Sequence, residues 1–246
     1  DAFHIETSQG TFVSRAVVSA TGSSSNPQIP PFQGLEGYKG TVIHSSQYQA
    51  PGQFENQRVA VVGEGNSGAQ ILAEVSLVAD TLWITRKEPR FLPDDVDGRF
   101  LFDAATQMYQ AQKEGKKYNP PSLGDIVMVD TVKDARRRNV LNSLRPFDRV
   151  TGDSLIWNNG RVERVDAIIF CTGFKPALGH LRSLDIVNAD GKAATMETRS
   201  QKVDGLWLVG YGNWTGFASA TLIGVGRTAK KTVEEIQEFI GQLVQK

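Results

Sequence analysis

Cysteine is almost absent from this 246-residue sequence. Cys171 stands alone, so the chain can close no internal disulfide and build no CxxC redox pair or thiolate metal site. Histidine is scarce as well: His4, His44 and His180 lie far apart and offer no metal-ligand spacing. Charge of either sign does not accumulate, with 27 Lys+Arg against 27 Asp+Glu, so no broad basic surface exists to track a nucleic-acid backbone. Long apolar runs are missing too. Ala167 to Phe170 and Leu206 to Val209 are strand-length, far short of the roughly 18 residues of a membrane span. What remains, 40% hydrophobic and 22% charged, is an ordinary globular composition with material for one large or two modest domains. A reducing, cytoplasmic setting is the default expectation.

No initiator Met and no signal-peptide pattern open the sequence. It starts as a strand, Phe3 to Thr7, turns at Ser8-Gln9-Gly10 and continues as a second run, Thr11 to Ala20, ending in Ala20-Thr21-Gly22. A chain that begins inside a hairpin is expected to continue upstream in the native protein. Ser23 to Pro31 and Gln47 to Gln57 read as loops. Val59 to Val62 is an apolar strand. Ala69 to Ala79 places Ile71, Leu72, Val75 and Val78 at helical spacing, and Leu82-Trp83-Ile84 is a second strand, so Val59 to Thr85 forms one βαβ unit. A polar helix is expected around Phe102 to Lys113, and Arg136-Arg137-Arg138 reads as a solvated helix face. Leu155 to Trp157, Asn158-Asn159-Gly160 and Val165 to Phe170 suggest a hairpin leading into a buried strand. Leu206 to Val209 adds a strand. The helix expected from Ala218 to Val244 carries Val233, Ile236, Phe239, Ile240 and Val244 on one face. Strands alternating with helices predict an α/β protein with a mainly parallel sheet.

Gly63, Gly65 and Gly68 fit G-x-G-x-x-G between an apolar strand and a helix, the context in which that pattern signals dinucleotide binding. Gly63 permits the tight turn, Gly65 lets backbone approach a pyrophosphate, and Gly68 allows close helix–strand packing. The helix start, with Asn66 and Ser67, offers free N–H groups to the phosphates. The alternative is a glycine loop that serves helix packing alone. Where an NAD site places a carboxylate, at the end of the second strand, this chain has Arg86-Lys87. Two cations suit a 2′-phosphate and favour NADPH, the alternative being a pair of solvated surface charges.

Upstream, Tyr38-Lys39-Gly40-Thr41-Val42-Ile43-His44-Ser45-Ser46-Gln47-Tyr48 resembles the F-x-G-x-x-x-H-S-x-x-Y fingerprint of flavin-containing monooxygenases, with Tyr38 in the Phe position. His44 can equally be a structural histidine donating to a backbone carbonyl. Ala20-Thr21-Gly22 and Cys171-Thr172-Gly173 look like the family's paired crossings between flavin and nicotinamide domains. Gly210-Tyr211-Gly212-Asn213-Trp214-Thr215-Gly216 looks like its late flavin-contacting motif, with Asn213 where Asp is usual. Phe91 to Arg99 and Gly124 to Val129 resemble the bacterial branch of small flavoprotein monooxygenases, including those associated with arsenic-resistance operons. Asp94, Asp95 and Asp97 read as a solvated loop with a helix cap rather than a metal site.

The resemblance implies two Rossmann-like domains. An NADPH-binding domain over 45–164 is inserted into an FAD-binding domain formed by 1–44 and 165–246, which lacks the family's first G-x-G-x-x-G loop. It further implies that NADPH reduces FAD, that oxygen adds to the reduced flavin as a C4a-(hydro)peroxide, and that a soft sulfur or nitrogen atom or a ketone is oxygenated. A reductase without oxygenation and a non-catalytic NADPH-binding module are the rivals. Gly63, Gly65, Asn66, Ser67 and Gly68 are expected at the nicotinamide phosphates, with Arg86 and Lys87 at the 2′-phosphate. Thr21, Gly22, His44, Thr172, Gly173, Gly212, Asn213, Trp214 and Thr215 complete the expected cofactor contacts. No side chain is assigned as acid or base and no metal is expected. The implied partners are a small-molecule substrate and O2, without nucleic acid or membrane, and a homodimer fits the family.

Overall fold

The computed structural model describes residues 2–96 and 125–244, with 103, 106, 107, 110, 111 and 114–116 of the interval between them. The polar helix expected over 102–113 and the Asp97-Gly98-Arg99 end of its preceding motif therefore lie largely outside the described residues. The chain divides into two compact units, 1–26 with 174–246, and 27–173. The strands over 41–44 and 167–170 pair with each other inside the larger unit.

The smaller unit opens with strands β1 (Phe3–Thr7) and β2 (Gly10–Ser14), an antiparallel hairpin, followed by β3 (Val17–Ser19). The single run expected from Thr11 to Ala20 is thus two strands in two different sheets.

In the larger unit β4 (Thr41–His44), β5 (Arg58–Val62), β6 (Asp80–Ile84), β7 (Ser143–Leu144) and β11 (Ala167–Phe170) form one all-parallel sheet, in the order β4-β11-β5-β6-β7. Its central strands are apolar on both faces because both faces are covered. Val59, Val61, Ala167 and Ile169 pack with helices α1 (Asn66–Val75) and α2 (Asp130–Arg137) through Leu72, Val132 and Ala135. Ala60, Val62, Ile168 and Phe170 face a second cluster holding Phe147, Leu155 and Trp157. That layer is a three-stranded antiparallel sheet of β8 (Arg149–Thr151), β9 (Ser154–Ile156) and β10 (Val162–Arg164), which extends the expected hairpin by one strand.

The arginine run at the end of α2 is not simply solvated. Arg136 donates to Asp94 at 2.9 Å and lies over the Phe91 ring, while Arg138 donates to Asp134 at 2.7 Å and to the Ala73 carbonyl at 3.0 Å. Among the described residues no cluster of three His, Cys, Asp or Glu could hold a metal ion.

Back in the smaller unit, β12 (Thr195–Met196), β13 (Arg199–Ser200) and β14 (Leu206–Leu208) join β3 in the order β12-β13-β14-β3. Helix α3 (Leu222–Val244) starts four residues later than expected, since Ala218 sits at φ 55°, a left-handed conformation that no α-helix contains. It packs through Phe239 against Trp207, whose indole donates to Glu235, and through Thr232, which bonds Thr198. Val233 and Ile240 of the expected apolar face are exposed. Among the described residues no helix is long and apolar enough to cross a membrane.

Candidate functional site

Parallel strands end at one edge of a sheet, and the loops that leave them there build a crevice. In the larger unit Gly63, Glu64 and Gly65 follow β5, Thr85 and Arg86 follow β6, Pro146 follows β7 by one residue, and Cys171 and Thr172 follow β11. Together with Pro30, Pro31 and Phe32 they line a cleft of about 670 Å³.

The three glycines hold three different positions in it. Gly63 has φ 145°, and a Cβ there would lie 2.3 Å from the Cys171 carbonyl oxygen. A Cβ on Gly68 would lie 2.2 Å from the Gly63 carbonyl oxygen, so α1 approaches the loop closely only because that carbon is missing. Gly65 is the contrary case: a Cβ there would meet nothing within 4 Å, and the residue faces the cleft. No side chain caps α1, and the backbone ladder of the helix begins with Ala69 N–H donating to Gly65 O at 3.1 Å. No side chain takes up the earlier N–H groups, and free N–H groups at a helix start are what an anionic phosphate requires. The open space at Gly65 and this uncapped helix fit a dinucleotide. The Asn66 side chain is engaged elsewhere. Its Oδ1 accepts the Val127 N–H at 2.8 Å, tying the 125–127 segment to the helix start.

At the end of β6 the guanidinium of Arg86 does not stand alone. It donates to Glu64 Oε1 at 2.9 Å, and the Arg86 N–H donates to Glu64 Oε2 at 3.3 Å. Partial burial pushes the Glu64 carboxyl up, but the hydrogen bonds from Arg86 outweigh it and hold the group below its ordinary value. Arg145, directly after β7, donates to Thr85 Oγ1 at 3.2 Å and pairs with Glu88 at 2.6 Å. Lys87 makes no ion pair among the described residues. Glu64 and Phe32, which line the cleft, and Arg145, next to the lining residue Pro146, are what sequence reasoning misses. An arginine after a two-residue strand carries no periodic signal, and the Glu64–Arg86 pair spans 22 residues.

The fingerprint segment lies outside the cleft lining. Tyr38 donates its hydroxyl to the Val165 carbonyl at 2.8 Å. Burial, with the Asp166 and Asp153 carboxylates, pushes its phenol up to about 12. Gly40 is compelled by this contact, since a Cβ would lie 2.4 Å from both the Tyr38 hydroxyl and the Asp166 carbonyl oxygen. His44 is buried, accepts the Ser46 N–H at Nδ1 and therefore donates from Nε2 to the Gly173 carbonyl at 2.9 Å. Tyr48 donates to Glu74 of α1 at 2.8 Å. The spacing of the fingerprint thus stitches β4 to β11 and to α1.

Of the remaining candidates, Thr172 bonds the Gln28 carbonyl through its hydroxyl and lines the cleft, and Gly173, at φ 78°, accepts the Gln28 N–H at 2.9 Å. Thr21, Gly22 and Gly212 to Thr215 belong to the smaller unit. There the Thr21 N–H and hydroxyl meet the Tyr211 hydroxyl at 3.1 and 2.7 Å, and Ser19 bonds both Tyr211 and His180. Gly212, at φ 92°, starts a turn in which Thr215 is fully buried, Trp214 stacks near Tyr211, and Asn213 accepts the Ala218 N–H at 3.2 Å. Much of this turn's polarity is satisfied internally, so toward a flavin it offers backbone, the Trp214 ring and the remaining amide of Asn213.

The sequence family described as flavin-binding monooxygenase-like matches residues 4–97. Among solved structures, a flavin-containing monooxygenase from Stenotrophomonas maltophilia is 43% identical, with a TM-score of 0.85 over 97% of this chain and 67% of its own. A protein named uncharacterized oxidoreductase CzcO-like, from Geobacillus kaustophilus, is 26% identical over 96% of this chain and 68% of its own length. A Baeyer-Villiger monooxygenase from Streptomyces coelicolor is 25% identical over 90% of this chain and 54% of its own.

Proposed function

Since the chain belongs to the flavin-containing monooxygenase family, we propose that its larger unit binds NADPH in the cleft and serves an FAD-dependent oxygenation of a small molecule. The observation that carries this reading is an open Gly65 and an uncapped α1 beside a cleft that Arg86 also lines. In it Gly65 admits the pyrophosphate, the N–H groups of Asn66, Ser67 and Gly68 bind it, and Arg86, Lys87 and Arg145 meet the 2′-phosphate. Thr21, Gly22, Gly212, Asn213, Trp214 and Thr215 contribute contacts to FAD, while His44 and Gly173 act from beneath by fixing the end of β11. When bound, the flavin supplies the activation of O2. The protein's own part is to orient the nicotinamide and to exclude water. The substrate class is a soft sulfur or nitrogen nucleophile or a ketone. A cytoplasmic homodimer is part of the same proposal.

The test is the absorbance spectrum of the purified protein before and after anaerobic NADPH, followed by product analysis in air with methyl phenyl sulfide and cyclohexanone. Flavin bands that bleach, and oxygenated product formed in step with NADPH loss, are the expected result. NADPH loss matched by peroxide alone would make the protein a reductase and end the oxygenase reading.

A further inference from the structure

The cation that lines the cleft, Arg86, is already engaged. Arg86 is a surface residue whose fork closes on a carboxylate from within the glycine loop, at 2.9 and 3.2 Å from the same Glu64 oxygen. Arg145, after β7, pairs with Glu88 through one guanidinium nitrogen at 2.6 Å. Glu64 is the middle residue of the loop's first G-x-G, much less exposed than its partner, and it lines the cleft beside Arg86.

Resting on the nucleotide reading above, we propose that Glu64 is a specificity-determining residue: it occupies the Arg86 fork that a 2′-phosphate needs, and so lowers the preference for NADPH over NADH. Two anions cannot share one guanidinium without mutual repulsion, and the phosphate brings the larger charge. The phosphorylated cofactor must displace the Glu64 carboxylate and leave it nearby without its cation. The unphosphorylated cofactor need not disturb the pair, and its ribose hydroxyl can donate to the same carboxylate. The glycine loop therefore carries its own counterweight to the cations after β6.

The probes are 2′,5′-ADP and 5′-AMP, which differ only in the 2′-phosphate, titrated calorimetrically against the whole protein. Glu64→Gln is expected to raise the preference for 2′,5′-ADP over 5′-AMP by about fivefold or more. Arg86→Gln is expected to reduce that preference toward unity, and in its background Glu64→Gln has no further effect. Glu64→Ala, checked for an unchanged melting temperature, should move the preference in the same direction as Glu64→Gln. If both Glu64 variants leave the preference within twofold while Arg86→Gln lowers it, the role of Glu64 is overturned and the nucleotide reading stands. If Arg86→Gln changes nothing, or neither probe binds, both fall together.

Discussion

The indole N–H of Trp83, on β6, donates to the carbonyl of Gly63, on the loop after β5, at 2.8 Å, and both residues are buried. One strand of the sheet thus holds the glycine loop that the neighbouring strand launches. Trp83→Phe keeps most of the ring's apolar packing but leaves that carbonyl without its partner. The expected cost is about 1–3 kcal/mol of stability, read by urea denaturation. AMP affinity should fall with it, because the loop loses its anchor. A variant as stable as the parent would show that the bond does nothing for the fold.

Gly65 and Gly68 should separate binding from stability. Gly68→Ala drives a Cβ to 2.2 Å from the Gly63 carbonyl oxygen, and the backbone of α1 must move, at a cost of about 3 kcal/mol. Gly65 has φ −99° and ψ −172°, a conformation that alanine adopts freely, with open space beyond it. Gly65→Ala should change stability by less than about 1 kcal/mol. Its added methyl group nevertheless stands where backbone would face a phosphate, and AMP affinity is expected to drop about tenfold. Thermal melts and calorimetric titrations of the two variants give opposite patterns if the cleft is the nucleotide site.

The sheet was legible because Val59 to Val62 and Ala167 to Phe170 are unbroken apolar runs, as strands covered on both faces must be. The glycine loop was legible because its glycines are spaced as the pattern requires: at Gly63 and Gly68 the backbone tolerates no side chain, and at Gly65 it stands open. Other features left no local trace. The two residues of β7 are too short to show a period, so nothing marks Arg145. The run from Thr11 to Ala20 hid a change of sheet, which nothing in its hydrophobicity marks. Ala218 reads as a helix former, yet the turn after Gly216 holds it at a positive φ. On α3 the period was right and the buried face partly so: Phe239 packs against Trp207, but Glu235 and Thr232 bond Trp207 and Thr198 where Val233 and Ile240 stay exposed. Pairings of this kind are decided by tertiary neighbours, as is the Glu64–Arg86 pair.

Cys171 lines the cleft but should be a poor nucleophile. Burial pushes its thiol from about 9 up to about 12. Only the thiolate reacts, so alkylation by iodoacetamide at pH 8 is expected to run at least about a hundredfold slower in the folded protein than in urea. The folded thiol holds its proton more tightly than the unfolded one. Its contribution to stability is therefore present below about pH 9 and is lost as the pH rises toward 12. Fast alkylation of the native protein would mean that the thiol reaches water through the cleft.

His44 distinguishes a structural fingerprint from a binding one. Its Nδ1 accepts the Ser46 N–H at 3.1 Å, which fixes the tautomer and turns the Nε2 proton toward the Gly173 carbonyl at 2.9 Å. The His44 backbone N–H meanwhile donates to Gln47 at 3.0 Å, closing a reciprocal cap on the turn that follows β4. His44→Ala removes the ring from a buried position and orphans the Ser46 N–H, while the Gly173 carbonyl keeps only its Gln28 partner, together worth about 3 kcal/mol. Because no residue of the fingerprint lines the cleft, the fraction that remains folded should bind AMP within about twofold of the parent. A drop in affinity without a drop in stability would reverse the assignment and place the imidazole at the ligand. A loss of stability at constant affinity would show that the histidine is there to hold β4 and β11 at the depth the cleft requires.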